Sequence, residues 1–463
     1  MASAAPRYAR GMLEELRAAV GEALVTDAAA LEAARGDKSG QRSAAAPLAI
    51  VEAREIGHVQ AALRWASAHG VPVVPRGAGT GLAGGALAGA GELVLSTSRL
   101  DRILEISAAD ELAVVEAGVI NAELNTALAE HGLWYTPDPA SRAISTIGGN
   151  LATNAGGLMC VKYGVTRESV LGMKVVLADG RLLELGHRTV KGVTGYDLTA
   201  LMIGSEGTLG VIVEATVRVR PVERGAVVTV SAAFPDVDAA ARAAAAITAS
   251  GVRPAALELL DTGALDAIGA YLGVGLGGGA RLLVQTDGGH ADAEAARVLA
   301  VVEASGGTAE LGDAEEGERL FAIRRAFHPA MERQGSVLIE DVAVPRSALP
   351  AMFAAIARIE GRYGIRIPTV AHAGDGNLHP NFVYRPVLRD GREEVPEHIW
   401  DAAHELFQEC LRLGGTLTGE HGVGLLKRRW LRDELGDDGY GLQRQLKAVF
   451  DPQGILNPGK VFS

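Results

Sequence analysis

Cysteine is almost absent: Cys160 and Cys410 are the only two among 463 residues. Two thiols form no disulfide framework, which fits a reducing cytoplasm and reads both as small buried hydrophobes. Aromatic residues make up only 4%, so the core has to be built from Ala, Val and Leu. No apolar run reaches the roughly 20 residues of a membrane-spanning helix. The first residues lack the apolar block of a secretory leader; Tyr8, Met12, Leu13 and Leu16 instead mark an amphipathic helix. Positive charge is in deficit, with 44 Lys and Arg against 56 Asp and Glu and a net charge of −12. That excludes a general binder of nucleic-acid backbone, although a local basic pocket for an anionic substrate is still allowed. A cytoplasmic protein is expected, peripheral to a membrane only through a partner.

What is present is globular: 48% hydrophobic and 22% charged residues, in a chain long enough for two or three packing units. Strands are expected over residues 48–53, 71–74, 93–95, 103–106, 113–117 and 211–219, with helices over 56–69 and 121–131. Residues 173–177 and 182–185 read as a hairpin around Asp179-Gly180. Farther on, strand–helix–strand patterns over 226–260 and 281–311 form two βαβ units, the ferredoxin-like arrangement, with residues 273–279 as a loop between them. The tail from 400 is mainly helical.

Three glycine-rich stretches interrupt the first half. Pro75-Arg76-Gly77-Ala78-Gly79-Thr80-Gly81-Leu82 follows a strand. Glycines let backbone amides approach an anion, as in a pyrophosphate nest. There is no Walker lysine and no long helix directly after it, so alone the run serves a tight turn as well as a ligand. A second stretch holds Pro137 and Asp138, then Thr146, Gly148, Gly149, Asn150, Thr153, Asn154 and Gly157. A third holds Glu206, Gly207, Gly210, Val211 and Ile212. Three loops rich in glycine, hydroxyl and amide groups suit a large dinucleotide better than a lone phosphate.

The densest chemistry lies in His372-Ala373-Gly374-Asp375-Gly376-Asn377-Leu378-His379. Residues 367–371 and 381–384 read as strands joined by this turn. Such a hairpin brings two imidazoles together as a metal pair needing a third ligand. Glu420, in the flexible Gly419-Glu420-His421-Gly422, offers one. Two His and one Glu suit Zn²⁺, Mn²⁺ or Fe²⁺ and leave positions open for substrate oxygens. Isolated histidines such as His58, His131 and His404 read as ordinary surface or core residues.

The three glycine segments resemble the FAD-binding domain of the vanillyl-alcohol oxidase superfamily, in the branch of D-lactate dehydrogenase, D-2-hydroxyglutarate dehydrogenase and the D-type subunit of glycolate oxidase. The resemblance covers residues 48–462. It implies an α+β chain: a helical segment over 1–46, a two-subdomain PCMH-type FAD-binding domain over 47–222, a ferredoxin-like substrate (cap) domain over 223–415, and a helical C-terminal segment over 416–463 that returns to the flavin through Asn457-Pro458-Gly459-Lys460. It implies FAD cradled by the residues named in the three stretches and by Asn457. Some relatives attach the flavin through a His or Cys near the first loop; residues 75–85 contain neither, so the resemblance implies non-covalent FAD. It further implies metal ligation by His372, His379 and Glu420, and a catalytic base at His421, whose ordinary pKa near 6.5 suits that work.

A substrate carboxylate needs a cation. Arg324 and Arg325 are the candidates, and relatives place a substrate-binding arginine at the position of Arg324. Residues 340–346 match the family as framework. The expected reaction is oxidation of a small D-2-hydroxy acid, D-lactate or glycolate, by hydride transfer to flavin. D-2-hydroxyglutarate dehydrogenases carry a lysine where this chain has Ile339, which weighs against a dicarboxylate. An ether-lipid synthase, a non-catalytic flavin subunit of a glycolate oxidase complex and a zinc hydrolase are the alternatives. The first lacks its membrane-binding helix, the second should lack the metal set, and the third gives the glycine loops no purpose. The electron acceptor is open among a quinone, a cytochrome, an electron-transfer flavoprotein and an iron–sulfur subunit. A homodimer is compatible with the sequence.

Overall fold

The computed structural model of the chain describes residues 7–223, 225–389 and 392–462. Its contacts group into two units, Met1–Ala155 with Val165–Val222 and Glu420–Ser463, and Gly156–Gly164 with Glu223–Gly419.

In the first unit, apolar runs Ala49–Glu52, Val73–Arg76 and Leu93–Ser96 pair in parallel, with Leu93–Ser96 in the middle. Strands covered on both faces need near-continuous hydrophobicity, and Ala49, Val51, Val73, Leu93 and Leu95 are all fully buried. Each Val or Leu hidden in this way contributes about 1.5–3 kcal/mol. The strand expected at 71–74 begins two residues later, which places Pro75 and Arg76 in the ladder itself. The amphipathic helix is found as Arg7–Val20. Leu16 and Val20 enter the core, with Met12 and Leu13 packed against it; the side chain of Tyr8 lies outside the described part.

The second sheet of this unit is antiparallel, in the order Ile103–Ser107, Leu112–Glu116, Val211–Arg218, Val170–Val176 and Leu182–Gly186. These two sheets are the two subdomains expected of this part of the chain. The chain's end joins the first of them. Val73 donates to the Ile455 carbonyl and accepts from the Asn457 amide, both at 2.7 Å, so Leu456 lies parallel beside Val73.

One expectation needs correction here. The second glycine stretch is not all loop, because Ile147–Thr153 is a helix. Thr146 caps it by accepting from the Gly149 amide at 3.2 Å. Asn154 ends it in the left-handed region. Gly148 is required by contact rather than by a turn: a Cβ there would lie 2.6 Å from that of Ala117.

The second unit carries the two βαβ repeats. Their strands Ala226–Phe234, Ala256–Leu260, Ala280–Gly288 and Thr308–Gly312 stand in the spatial order fourth, first, third, second, as a ferredoxin-like sheet requires. Scarce aromatics are offset by close approach. Helix Val237–Ala249 presents Ala240, Ala241, Ala243 and Ala244, each fully buried. A helix not expected from the residue pattern, Thr262–Leu272, connects the repeats. Asp261 caps it through the Ala264 amide at 2.7 Å and also accepts from the Thr369 amide at 2.9 Å.

That second bond ties an added strand to the ferredoxin core. Thr369–His372, Asn377–Tyr384 and Ser336–Ile339 continue the sheet on the side of Ala256–Leu260. No helix among the described residues is long and apolar enough to cross a membrane.

Candidate active site

The first glycine run leaves the parallel sheet at Arg76. Among the described residues, the backbone amides of Gly77 to Leu82 donate no hydrogen bond within the protein. Gly81 opens on free space, with nothing within 4 Å of where a Cβ would stand. Consecutive unspent amides in a loop where every second residue lacks a Cβ are what an anionic pyrophosphate fits.

The loop is held in shape by its own arginine. Arg76 donates to the carbonyls of Ala86 at 2.7 Å and Gly36 at 3.0 Å, and its guanidinium occupies the space a Cβ on Gly79 would need. Burial lowers its pKa, with Asp37 opposing. Gly77 sits so close to Thr146 that a Cβ would be 2.4 Å from the hydroxyl. The first and second stretches therefore meet. Gly207 meets the first likewise, its missing Cβ 3.0 Å from Pro75 Cγ.

Several residues expected at the cofactor also bond or pack within the protein. Asn150 accepts from Asn121, which also donates to the Pro137 carbonyl. Thr153 donates to the Gly149 carbonyl, and Asn154 accepts from the Arg167 amide. Asp138 stands 3.9 Å from Arg142. Gly210 packs against Val175, directly before Val211 and Ile212 open their strand. Gly157 alone among these belongs to the second unit, its amide on the Cys160 sulfur at 3.1 Å. Asn457 donates to the carbonyls of Gly85 at 3.0 Å and Glu206 at 2.7 Å, so the C-terminal segment ties the first loop to the third.

Glu206 makes the other half of that tie. Its buried carboxylate accepts from the amides of Val423 at 2.7 Å and Gly424 at 2.8 Å. Burial pushes its pKa up to about 7, against the opposing pull of those amides and Lys427. A carboxyl raised in the folded state gives stability that is full below its unfolded value, 4.5, and lost as pH rises through about 7. Glu206→Gln is therefore expected to gain on the parent by roughly 3 kcal/mol between about pH 4.5 and pH 8. Urea midpoints of flavin-free protein measure this; a difference constant with pH overturns it.

In the second unit, His372 ends its strand and pairs with Asn377, across a turn of residues 373–376. The return strand starts at Asn377 rather than 381, so His379 lies within it, opposite Val370. The ladder thus sets both imidazoles on one face, one diagonal apart. Their rings stand edge to face with centroids 5.0 Å apart, and their ligating nitrogens lie within 4.8 Å. They are 7% and 8% exposed. Two buried imidazoles so close are a donor set that a borderline-soft divalent ion fits.

Residues not picked out from the sequence surround this pair. Glu258 lies 2.6 Å from His372 Nδ1 and 2.9 Å from Arg324 Nε. Asp341 accepts from Asn377 Nδ2 and from the Thr418 hydroxyl, both at 2.6 Å, with His379 Nδ1 at 3.9 Å. Gly419 follows Thr418 and rests against Asn377, whose amide nitrogen would be 2.3 Å from any Cβ there. Glu420 and His421 come next in the chain, the imidazole Nε2 4.0 Å from the carboxylate. A signal for Glu258 was present. It is the lone charge in Ala256–Leu260, a strand buried at every position, and buried charge demands a partner.

Comparison with known proteins agrees with both halves. Residues 47–186 match the model described as FAD binding domain, and residues 224–461 that of FAD linked oxidases, C-terminal domain. The chain belongs to the FAD-linked oxidase family and is an FAD-dependent oxidoreductase. Among its relatives is the glycolate oxidase subunit GlcD of Bacillus subtilis (strain 168), 41% identical over 90% of this chain and 89% of that one. A D-2-hydroxyglutarate dehydrogenase of Xanthomonas citri pv. viticola is 38% identical over 90% and 89%, and a D-lactate dehydrogenase of Archaeoglobus fulgidus 34% over 90% and 92%. These relatives place the chain in the branch that holds the 2-hydroxy-acid dehydrogenases. Its fold is shared with p-cresol methylhydroxylase, at a TM-score of 0.80 and 17% identity over 98% of this chain and 97% of that one.

Proposed function

We propose that this protein is an FAD- and divalent-metal-dependent dehydrogenase that oxidises a small D-2-hydroxy acid, D-lactate or glycolate, to the 2-oxo acid. The observation that carries this reading is the buried imidazole pair on one face of one hairpin, in a chain of the FAD-linked oxidase family. His372 and His379 hold the ion with Glu420 as third ligand. Glu420 is one peptide bond beyond Gly419, which is fixed against the hairpin's Asn377. FAD supplies the hydride acceptor and Zn²⁺, Mn²⁺ or Fe²⁺ the Lewis acidity at the substrate hydroxyl. His421 takes the hydroxyl proton, and the Arg324 guanidinium grips the substrate carboxylate. The unspent amides of residues 77–82 hold the cofactor pyrophosphate. Ile339, an apolar side chain where a dicarboxylate would call for a cation, favours a monocarboxylate.

Mixing purified protein with a panel of D- and L-2-hydroxy acids and an artificial dye acceptor tests the assignment. Bleaching of the flavin bands by D-lactate or glycolate ahead of D-2-hydroxyglutarate is the expected result. Failure of every 2-hydroxy acid to bleach the flavin overturns it. The similarity to a glycolate oxidase subunit favours a second reading of the assembly: this chain passing electrons to a partner subunit rather than to a free quinone.

A further inference from the structure

Glu258 and His372 are Cα partners across two neighbouring strands, so their side chains rise from one face. Glu258 is fully buried. One of its oxygens lies 2.6 Å from His372 Nδ1, the other 2.9 Å from Arg324 Nε. Helix Ala314–Arg325 delivers Arg324 from its last turn, where the helix dipole favours a cation. A carboxylate so deeply buried is costly even when paired, and an apolar side chain would fill its place at less cost. Its charge is therefore read as functional.

We infer that Glu258 is a positioning residue that sets the metal ligand His372 and the substrate arginine Arg324 from a single carboxylate. This rests on the reading of His372 as a metal ligand. An ionised carboxylate only accepts hydrogen bonds, so His372 Nδ1 carries the proton and Nε2 is the atom offered to the ion. Arg324 spends its Nε on the other oxygen, which fixes the plane of the guanidinium. Its two terminal amino groups then keep the fork geometry that grips a carboxylate in parallel bonds. Metal affinity and substrate affinity consequently depend on the same residue, and neither depends on it through contact with the substrate's reacting carbon.

The test uses FAD-loaded protein stripped of metal and titrated with Zn²⁺ or Mn²⁺ against a chelating dye, for the parent, Glu258→Gln and His372→Ala. Glu258→Gln is expected to weaken metal binding by about 10- to 100-fold. With metal then restored to saturation, it is expected to raise KM for the 2-hydroxy acid more than it lowers kcat. A ¹⁵N spectrum of histidine-labelled, metal-free parent needs no variant and is expected to show His372 as the Nδ1-protonated tautomer. Metal affinity unchanged in Glu258→Gln but lost in His372→Ala overturns the inference alone, as does an Nε2-protonated His372. Unchanged affinity in His372→Ala overturns the ligand assignment and, with it, the inference.

Discussion

Replacing His421 by alanine is expected to leave FAD bound while slowing flavin reduction by D-lactate at least roughly 100-fold, the scale of a positioned general base. The two halves of that expectation have separate grounds. Retention of FAD follows because other groups anchor the loop. Glu206 still holds the amides of Val423 and Gly424, and Asn457 still joins the first loop to the third. Loss of rate follows because a hydroxyl proton must leave before the hydride on the same carbon can depart readily. Stopped-flow bleaching of the visible flavin band reads the rate, and the spectrum before mixing reads occupancy. Reduction at the parental rate removes His421 from the mechanism.

Loss of the metal has the larger expected effect. Substituting Glu420 by alanine, or dialysing the parent against EDTA, is expected to empty the ion site and cut turnover about 1000-fold. Lewis-acid stabilisation is worth several kcal/mol, and each 1.36 kcal/mol is about a factor of ten. Two imidazoles alone bind a divalent ion only weakly, so stoichiometric Zn²⁺ or Mn²⁺ should restore the EDTA-treated parent and not the variant. Elemental analysis by mass spectrometry measures occupancy beside the rate. Full occupancy in the Glu420 variant removes that carboxylate from the ligand set. An EDTA-treated parent that is metal-free yet fully active removes the ion from the reaction.

Legibility in the sequence followed the range of the interactions. The ferredoxin-like repeat was readable because helix and strand periodicities are local, and the strand order followed from two βαβ units in series. The hairpin of His372 and His379 was readable because turn residues mark its tip, although its strands run closer to the tip than expected. What the sequence concealed depends on partners far along the chain. Glu258 finds His372 across a ladder, and Asp341 finds Thr418. Glycines at 147–157 read as loop because propensity counts their backbone freedom. The threonine cap and the fit of Gly148 against Ala117 override it. Arg76, expected at the cofactor from its place in the first glycine stretch, also braces that loop through the carbonyls of Ala86 and Gly36.

The strand-like seat of Leu456 beside Val73 bears on how the protein is made. A ribosome translating this message would expose the anchoring residues of the parallel sheet early, yet their neighbour emerges only after both units have been synthesised. Contacts so distant in sequence close slowly, and until they close, Asn457 cannot bridge Gly85 to Glu206. The bridge from Gly85 to Glu206 in a nascent chain is thereby deferred until synthesis has passed residue 457.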